Sequence, residues 1–388
     1  MSRDGRESTA PEALQRHDFV TILDEYAHAS VESIVSELSR FEIICIVAGM
    51  ESGVLLADKL SQHFPHLPGN NPRLSSARRD KVAMAECVSR HGLSTIDGAR
   101  VTRADQAAAF YRGLPSPRAV VKPVSSTGAN GVHFVDSEKS LLAAVKALIG
   151  EKDIFGHVND AVLVQEDVSE DSVEYTVNSI SSAGHHFVTD VWRMQRRMVD
   201  RTAVCVYSDL VHPNEEPYRT LTDFCTRILD AVGTMNGAAH TEIMMRPNGP
   251  VLIETSSRPE GACDPAAVYA TLGHSQNSLL VAAYLDPEGF AHSTTRPIPH
   301  DRHARHVYFL STSEGPIHGR AEWNQILALS TLYSLDSALD TTAWLSRTTN
   351  LTVCPGHLYL ISSDLVAIER DYEDFRRMEA ILYQSLLG

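Results

Sequence analysis

Cysteine is sparse and scattered. The six thiols, Cys45, Cys87, Cys205, Cys225, Cys263 and Cys354, include no Cys-x-x-Cys pair. That argues against a disulfide framework and against zinc-ribbon spacing, and fits buried thiols in a cytoplasmic protein. Long apolar runs are missing too. No uninterrupted stretch approaches the roughly 18 residues of a membrane span, and the start Met1-Ser2-Arg3-Asp4-Gly5-Arg6-Glu7 leads into no apolar signal core. Positive charge is in deficit: 34 Lys and Arg stand against 49 Asp and Glu, a net charge of −15. With no basic run beyond short pairs, the chain is a poor binder of nucleic acid or of an anionic membrane. Any phosphate it handles must be met by a few placed cations and backbone N–H groups. No Gly-Lys-Ser/Thr occurs, and Gly49-x-x-x-Gly53 lacks the spacing of a dinucleotide fingerprint.

Apolar material is plentiful. Of 388 residues 43% are hydrophobic and 21% charged, which excludes wholesale disorder and supplies several cores; the length suggests two or three domains of about 150 residues. Leu14 to Leu38 carries a helical apolar repeat. Phe41 to Val47 is a short β-branched run typical of a buried parallel strand, broken at Ala48–Gly53 before a helix over Val54 to His63. This is a strand–turn–helix opening of an α/β domain. A helix is expected over Ser76 to His91, and Gly113-Leu114-Pro115-Ser116-Pro117 reads as a boundary. Beyond it the patterning predicts strands at 119–123, 132–135, 161–165, 175–180 and 187–194, and helices at 137–149 and 220–232. Two strands flank Pro247-Asn248-Gly249-Pro250. Past Pro297 a smaller piece carries strands at 306–310 and 356–362 and a closing helix at 371–387.

The informative segment runs from Val120 to Val132. A strand delivers Lys122 to a small, hydroxyl-rich loop, Ser125-Ser126-Thr127-Gly128-Ala129-Asn130-Gly131. With little side-chain bulk the loop can fold onto a polyphosphate, its N–H and hydroxyl groups donating while the lysine supplies charge. Alone it reads equally as a hairpin loop. Downstream, Gln165-Glu166-Asp167-Val168 forms an acidic hinge and Glu174 opens the next strand. Two apolar strands then each carry a glutamate, Glu242 and Glu254. A carboxylate in a buried sheet is costly unless paired or metal-bound, and hard oxygens suit Mg²⁺. There is a register condition. A symmetric four-residue turn would place the two glutamates on opposite faces, so a shared metal site demands an odd loop or a bulge.

Taken in order, Asp80-Lys81-Val82, Lys122-Pro123 with its Gly loop, the Gln165-Glu166 hinge, Glu174, Glu242 and Glu254-x-Ser256-x-Arg258 resemble the ATP-grasp superfamily of carboxylate–amine ligases, from about Phe41 to the C-terminus. The resemblance implies an α/β (α+β) fold in three parts: an N-terminal open parallel α/β domain (1–112), a small lid domain (113–185) and a C-terminal antiparallel-sheet domain (186–388) with an extension from about 297. It also implies residue roles. Lys81 and Lys122 contact the ATP phosphates, and Ser125 to Gly131 cover them. Gln165, Glu166 and the backbone at Val168 hold adenine against Ile253, and Glu174 holds ribose. Glu242 and Glu254 bind Mg²⁺ or Mn²⁺, as two ions, and Arg258 faces the reacting carboxylate. The family's metal motif usually has asparagine where this chain has Ser256, so the second ion is the weaker expectation.

The implied chemistry converts a small-molecule carboxylate into an acyl phosphate that an amine then attacks. His240, beside Glu242, either helps hold that intermediate or is structural. The segment Ala48 to Val54 with Arg78-Arg79-Asp80-Lys81 is similar to L-amino-acid ligases that make dipeptides. There Glu51 either holds a substrate ammonium or sits as a helix N-terminal carboxylate, and Gly261 helps frame the pocket. Asp190 to Arg197 either presents cations to an acidic substrate or is a solvated strand. No nucleic-acid or membrane partner is expected, and family members often form homodimers. The alternatives are a carboxylase or small-acid kinase on the same fold, or a non-catalytic ATP-binding protein.

Overall fold

The computed structural model describes residues 30–126, 128–153, 156–199 and 202–388. Helix α1 (Val31–Leu38) starts at Ser30, whose hydroxyl accepts from the Ser33 N–H as an N-cap; the earlier part of the expected Leu14–Leu38 helix lies outside the described residues. Phe41 to Val47 is not a buried strand. It is irregular chain with Phe41, Ile44 and Val47 exposed. The expected N-terminal open parallel sheet is corrected accordingly: among the described residues, parallel pairing is confined to an isolated bridge between Thr95 and Leu252. β-Branched side chains favour extended backbone, but a strand forms only where a neighbour takes its N–H and C=O groups. Helix α2 (Val54–His63) follows as predicted. The single helix expected over Ser76 to His91 is broken into a 3₁₀ segment, Pro72–Arg78, and α3 (Lys81–Arg90). Asp80 makes the break by accepting from the Val82 and Ala83 N–H groups, which fixes Lys81 as the first residue of α3.

A four-stranded antiparallel sheet comes next, in spatial order β1-β4-β2-β3. Its parts are β1 (Gly98–Val101), α4 (Ala104–Arg112), β2 (Ala119–Pro123), β3 (His133–Val135), α5 (Glu138–Leu148) and β4 (Val162–Glu166). Both helices lie on one face, burying Ala107, Leu141 and Val145 against Val101, Val121 and Val164. The sheet includes β1, upstream of the Gly113–Pro117 segment.

The larger sheet draws on β5 (Val173–Ser182), β6 (His185–Val199), β7 (Thr202–Leu210), β8 (Gly237–Arg246), β9 (Gly249–Ser256) and β10 (His303–Tyr308), then β12 (Leu332–Ser337) and β14 (Gly356–Ser362). Two short strands, β11 (Gly315–Pro316) and β13 (Trp344–Leu345), pair separately. The eight run in the order β12-β14-β10-β7-β6-β5-β8-β9, antiparallel throughout. Side chains alternate across a strand, and the two faces divide sharply. Tyr175, Val177, Ala239 and Ile243 point into a core with Leu221, Phe224 and Ile228 of α6 (Tyr218–Ala231) and Met84 and Val88 of α3. The intervening positions, Thr176, Asn178, Asp190, His240 and Ser256, are polar and also buried.

Candidate active site

That polar face is organised by the β8–β9 hairpin. Its ladder closes at Arg246 and Gly249 and runs in even register to Ile243 opposite Leu252; beyond that pair a bulge puts Glu242 opposite Glu254 and His240 opposite Ser256. Ile253 is the extra residue. The bulge meets the register condition and brings both glutamates to one face. Their hard oxygens suit a divalent ion. Ser256 stands on the same face and its hydroxyl is buried with no hydrogen-bond partner among the described residues, an orphan that a bound ion or ligand water would satisfy. The donor set therefore fits Mg²⁺.

Two lysines approach this pair. Lys81 Nζ lies 2.7 Å from Glu254 Oε2 and 3.2 Å from the Ser126 carbonyl, while its own N–H donates to the Val124 carbonyl. The start of α3 is thus tied to the phosphate loop. Lys122, on β2, is also buried. Burial pushes its ammonium down to about 8, against the pull of Glu254, Glu242 and Glu174. In the loop Ser126 is buried and Ser125 half-buried; Thr127 lies outside the described residues. Gly131 sits at φ +72, where an added Cβ would meet Pro123 and Leu148 at 3.1 Å, so glycine is required there. The Gly128 carbonyl accepts from the Leu351 N–H, so the C-terminal extension reaches the loop.

Val168 and Ile253 meet in a small apolar cluster with Ile96, Val251 and Met244. Ile96, Val251 and Met244 were not expected there. Gln165 is buried at the end of β4. The Glu166 N–H donates to the Asp97 carbonyl. Glu174 is not free. Arg196 of β6 grips both its oxygens in a bidentate ion pair, so this cation of the 190–197 segment faces a buried carboxylate rather than solvent.

His240 Nδ1 lies 2.9 Å from Asn178 Oδ1, and its Nε2 lies 3.5 Å from Glu242 Oε1. The Asn178 amide nitrogen donates to Asp190 and to Glu260. Its oxygen must then accept from His240, so Nδ1 carries a proton and Nε2 faces a carboxylate. Burial opposes charge on this imidazole, yet Glu242 and Glu260 raise its pKa above the ordinary value. Burial likewise works to raise Glu242, but His240, Arg196 and Lys81 hold it well below the usual carboxylate range.

Arg258 donates from Nε to Glu51 at 2.8 Å and from Nη1 to the Pro259 carbonyl at 2.9 Å. Arg79 meets the other Glu51 oxygen at 3.4 Å. Burial works to raise the Glu51 pKa, but Arg258 and Arg79 keep it lowered. Neighbouring Arg78 is a structural staple, fully buried on Asp58 and the carbonyls of Asn71, Val232 and Gly233. Gly261 lies in the turn after Arg258, where a Cβ would meet only open space. Asn178 was not expected at the site, and Arg79, Asp190, Arg196 and Glu260 were expected only as parts of longer segments, without their partners. For Asn178 and Asp190 the signal was present: polar side chains at alternate positions of otherwise apolar strands.

A family model described as the ATP-grasp domain matches residues 116–265. Dapdiamide A synthase of Enterobacter agglomerans is 30% identical over 358 residues, covering 91% of this chain and 83% of that protein. Among solved structures, L-amino acid ligase from Bacillus licheniformis aligns with a TM-score of 0.73 at 18% identity, over 92% of this chain and 84% of that one. Phosphoribosylglycinamide synthetase from Anaerococcus prevotii aligns at 0.62 and 13% identity, over 92% and 86%; these two likenesses speak to the fold. Identity maintained along nine-tenths of the chain, on a sheet whose paired glutamates face buried lysines, leads to one conclusion: the chain belongs to the ATP-grasp family, as an ATP-dependent carboxylate–amine ligase.

Proposed function

We propose that the enzyme joins the carboxylate of an amino acid or small acid to the amine of an amino acid, releasing ADP and phosphate. The observation that carries the reading is the Ile253 bulge, which sets Glu242 beside Glu254 in front of Lys81 and Lys122. Kinship to a dapdiamide synthase and likeness to an L-amino acid ligase support amino acids as the substrate class.

In this reading adenine lies in the Val168–Ile253 cluster beside Gln165 and Glu166, and ribose shares Glu174 with Arg196. The loop from Ser125 through Thr127 and Gly128 to Gly131 covers the triphosphate. Glu242, Glu254 and Ser256 hold Mg²⁺ or Mn²⁺, as two ions; when bound, the metal supplies positive charge against the phosphate oxygens. Lys81 and Lys122 turn from the glutamates to the α and β phosphates. The substrate carboxylate oxygen attacks the γ phosphorus, the bond to the bridging oxygen breaks, and ADP leaves. The amine then attacks the acyl carbon, loses a proton, and phosphate departs. No side-chain nucleophile is needed; the protein positions groups and offsets charge. Arg258 faces the reacting carboxylate, oriented by Glu51, and His240 steadies Glu242. Closure of the loop excludes water from the acyl phosphate, with Gly261 at the rim.

A phosphate-release screen over paired amino acids and small acids tests this. Release that needs both an acid and an amine is expected. Release with bicarbonate alone would make the enzyme a carboxylase, and nucleotide binding without release under any pair would make it non-catalytic. We assign the active species as a cytoplasmic homodimer, which light scattering and fractionation test.

A further inference from the structure

A second polar cluster lies on the same large sheet, away from the nucleotide residues. β7 and β10 are neighbours with Arg305 opposite Asp209; extended by two residues, that register brings His303 across from Val211, next to His212. The turn after β7 folds back, the Glu215 N–H donating to the His212 carbonyl, which returns Glu215 toward both rings. One ligand atom from each of His212, Glu215 and His303 lies within 4.8 Å of the others. The two imidazoles meet edge to face with centroids 5.1 Å apart.

An independent observation points to a ligand. His212 is only 1% exposed, and among the described residues neither ring nitrogen has a hydrogen-bond partner. The Arg302 backbone approaches the ring and slightly favours its protonated form, but it falls outside hydrogen-bond geometry. Buried polar side chains are nearly always satisfied, so an imidazole orphaned at both nitrogens calls for an explanation such as a bound ion.

We propose that His212, Glu215 and His303 form a transition-metal site suited to Zn²⁺, clamping the end of β7 to the start of β10. Two imidazole nitrogens and one carboxylate make a zinc donor set with one tetrahedral position left for water. The site is distinct from the carboxylates of the reaction. β6 and β5 separate β7 from β8, three strand spacings or about 14 Å.

The test uses the full chain, stripped by chelator and held in saturating Mg²⁺ and ATP so that Glu242 and Glu254 are engaged. Zn²⁺ is titrated against a chromophoric chelator, with thermal melts alongside. One bound equivalent is expected, together with a raised melting temperature. His212→Asn and His303→Ala should each weaken Zn²⁺ at least about tenfold and remove the thermal gain, while Glu254→Gln should leave both intact. His303 is the less buried histidine, so its variant carries the test if the His212 variant fails to fold. Absence of Zn²⁺ binding under these conditions overturns the proposal. So does wild-type affinity in the His303 variant, or loss of the ion in Glu254→Gln.

Discussion

Replacing Glu254 with glutamine removes one negative charge from between two buried ammonium groups and changes almost nothing in shape. Lys81 Nζ sits 2.7 Å from the carboxylate. At an effective dielectric of about 20, that separation corresponds to about 6 kcal/mol of gross attraction. The net loss is smaller, because the Gln oxygen still accepts, the Ser126 carbonyl remains at 3.2 Å, and the Glu254 side chain is 19% exposed. Breaking a buried pair costs about 3–5 kcal/mol, so the lower end, about 3 kcal/mol of stability, is expected from urea unfolding of the metal-free protein. Lys81→Met should recover part of that loss in the double variant, a coupling of about 1–3 kcal/mol. Loss of an electrostatic group at the reacting phosphate should also lower kcat at least about 10²-fold, read as phosphate release at saturating Mg²⁺. Wild-type turnover in Glu254→Gln would refute the metal assignment. Strict additivity of the two stability changes would refute the Lys81 pairing.

Lys122 carries its charge below about 8 and sheds it above, so kcat/KM should fall as pH rises through that value. In kcat the limb should lie higher, since bound phosphates favour the ammonium; a flat kcat/KM profile to strongly alkaline pH would remove Lys122 from the reaction. Glu242 is held below its unfolded pKa, so its stabilisation is present above about pH 4.3 and lost as pH falls toward the folded value. Glu242→Gln should flatten that acid limb in metal-free unfolding measurements. Ser256→Asn should be tolerated, with Mg²⁺ dependence unchanged or tightened; severe inactivation would give the serine another task. Gly131→Ala should destabilise by about 1–2 kcal/mol, since a side chain there meets a left-handed backbone and close neighbours. Its KM for ATP should rise, and an unchanged KM would separate the loop from the nucleotide.

The order of most elements, and the local patterns that mark the candidate site, could be read from the chain because those signals are local. Lys122 at a strand end, the small loop after it, and one glutamate in each of two apolar strands are patterns within a dozen residues. Even the need for an odd loop or a bulge between Glu242 and Glu254 followed from counting residues around the turn, and the structure uses the bulge. Partnership was not local. Glu51 and Arg258 meet across 207 residues of sequence, and Arg196 reaches Glu174 from the next strand. His212 finds His303 only because β10 chose β7 as its neighbour. Phe41 to Val47 shows the converse: strand-like residues that, among the described residues, pair with no other strand. Periodicity reports which face of an element is apolar. Which elements come together is decided by the burial of those faces against one another, and so is the pairing of every charge carried in with them.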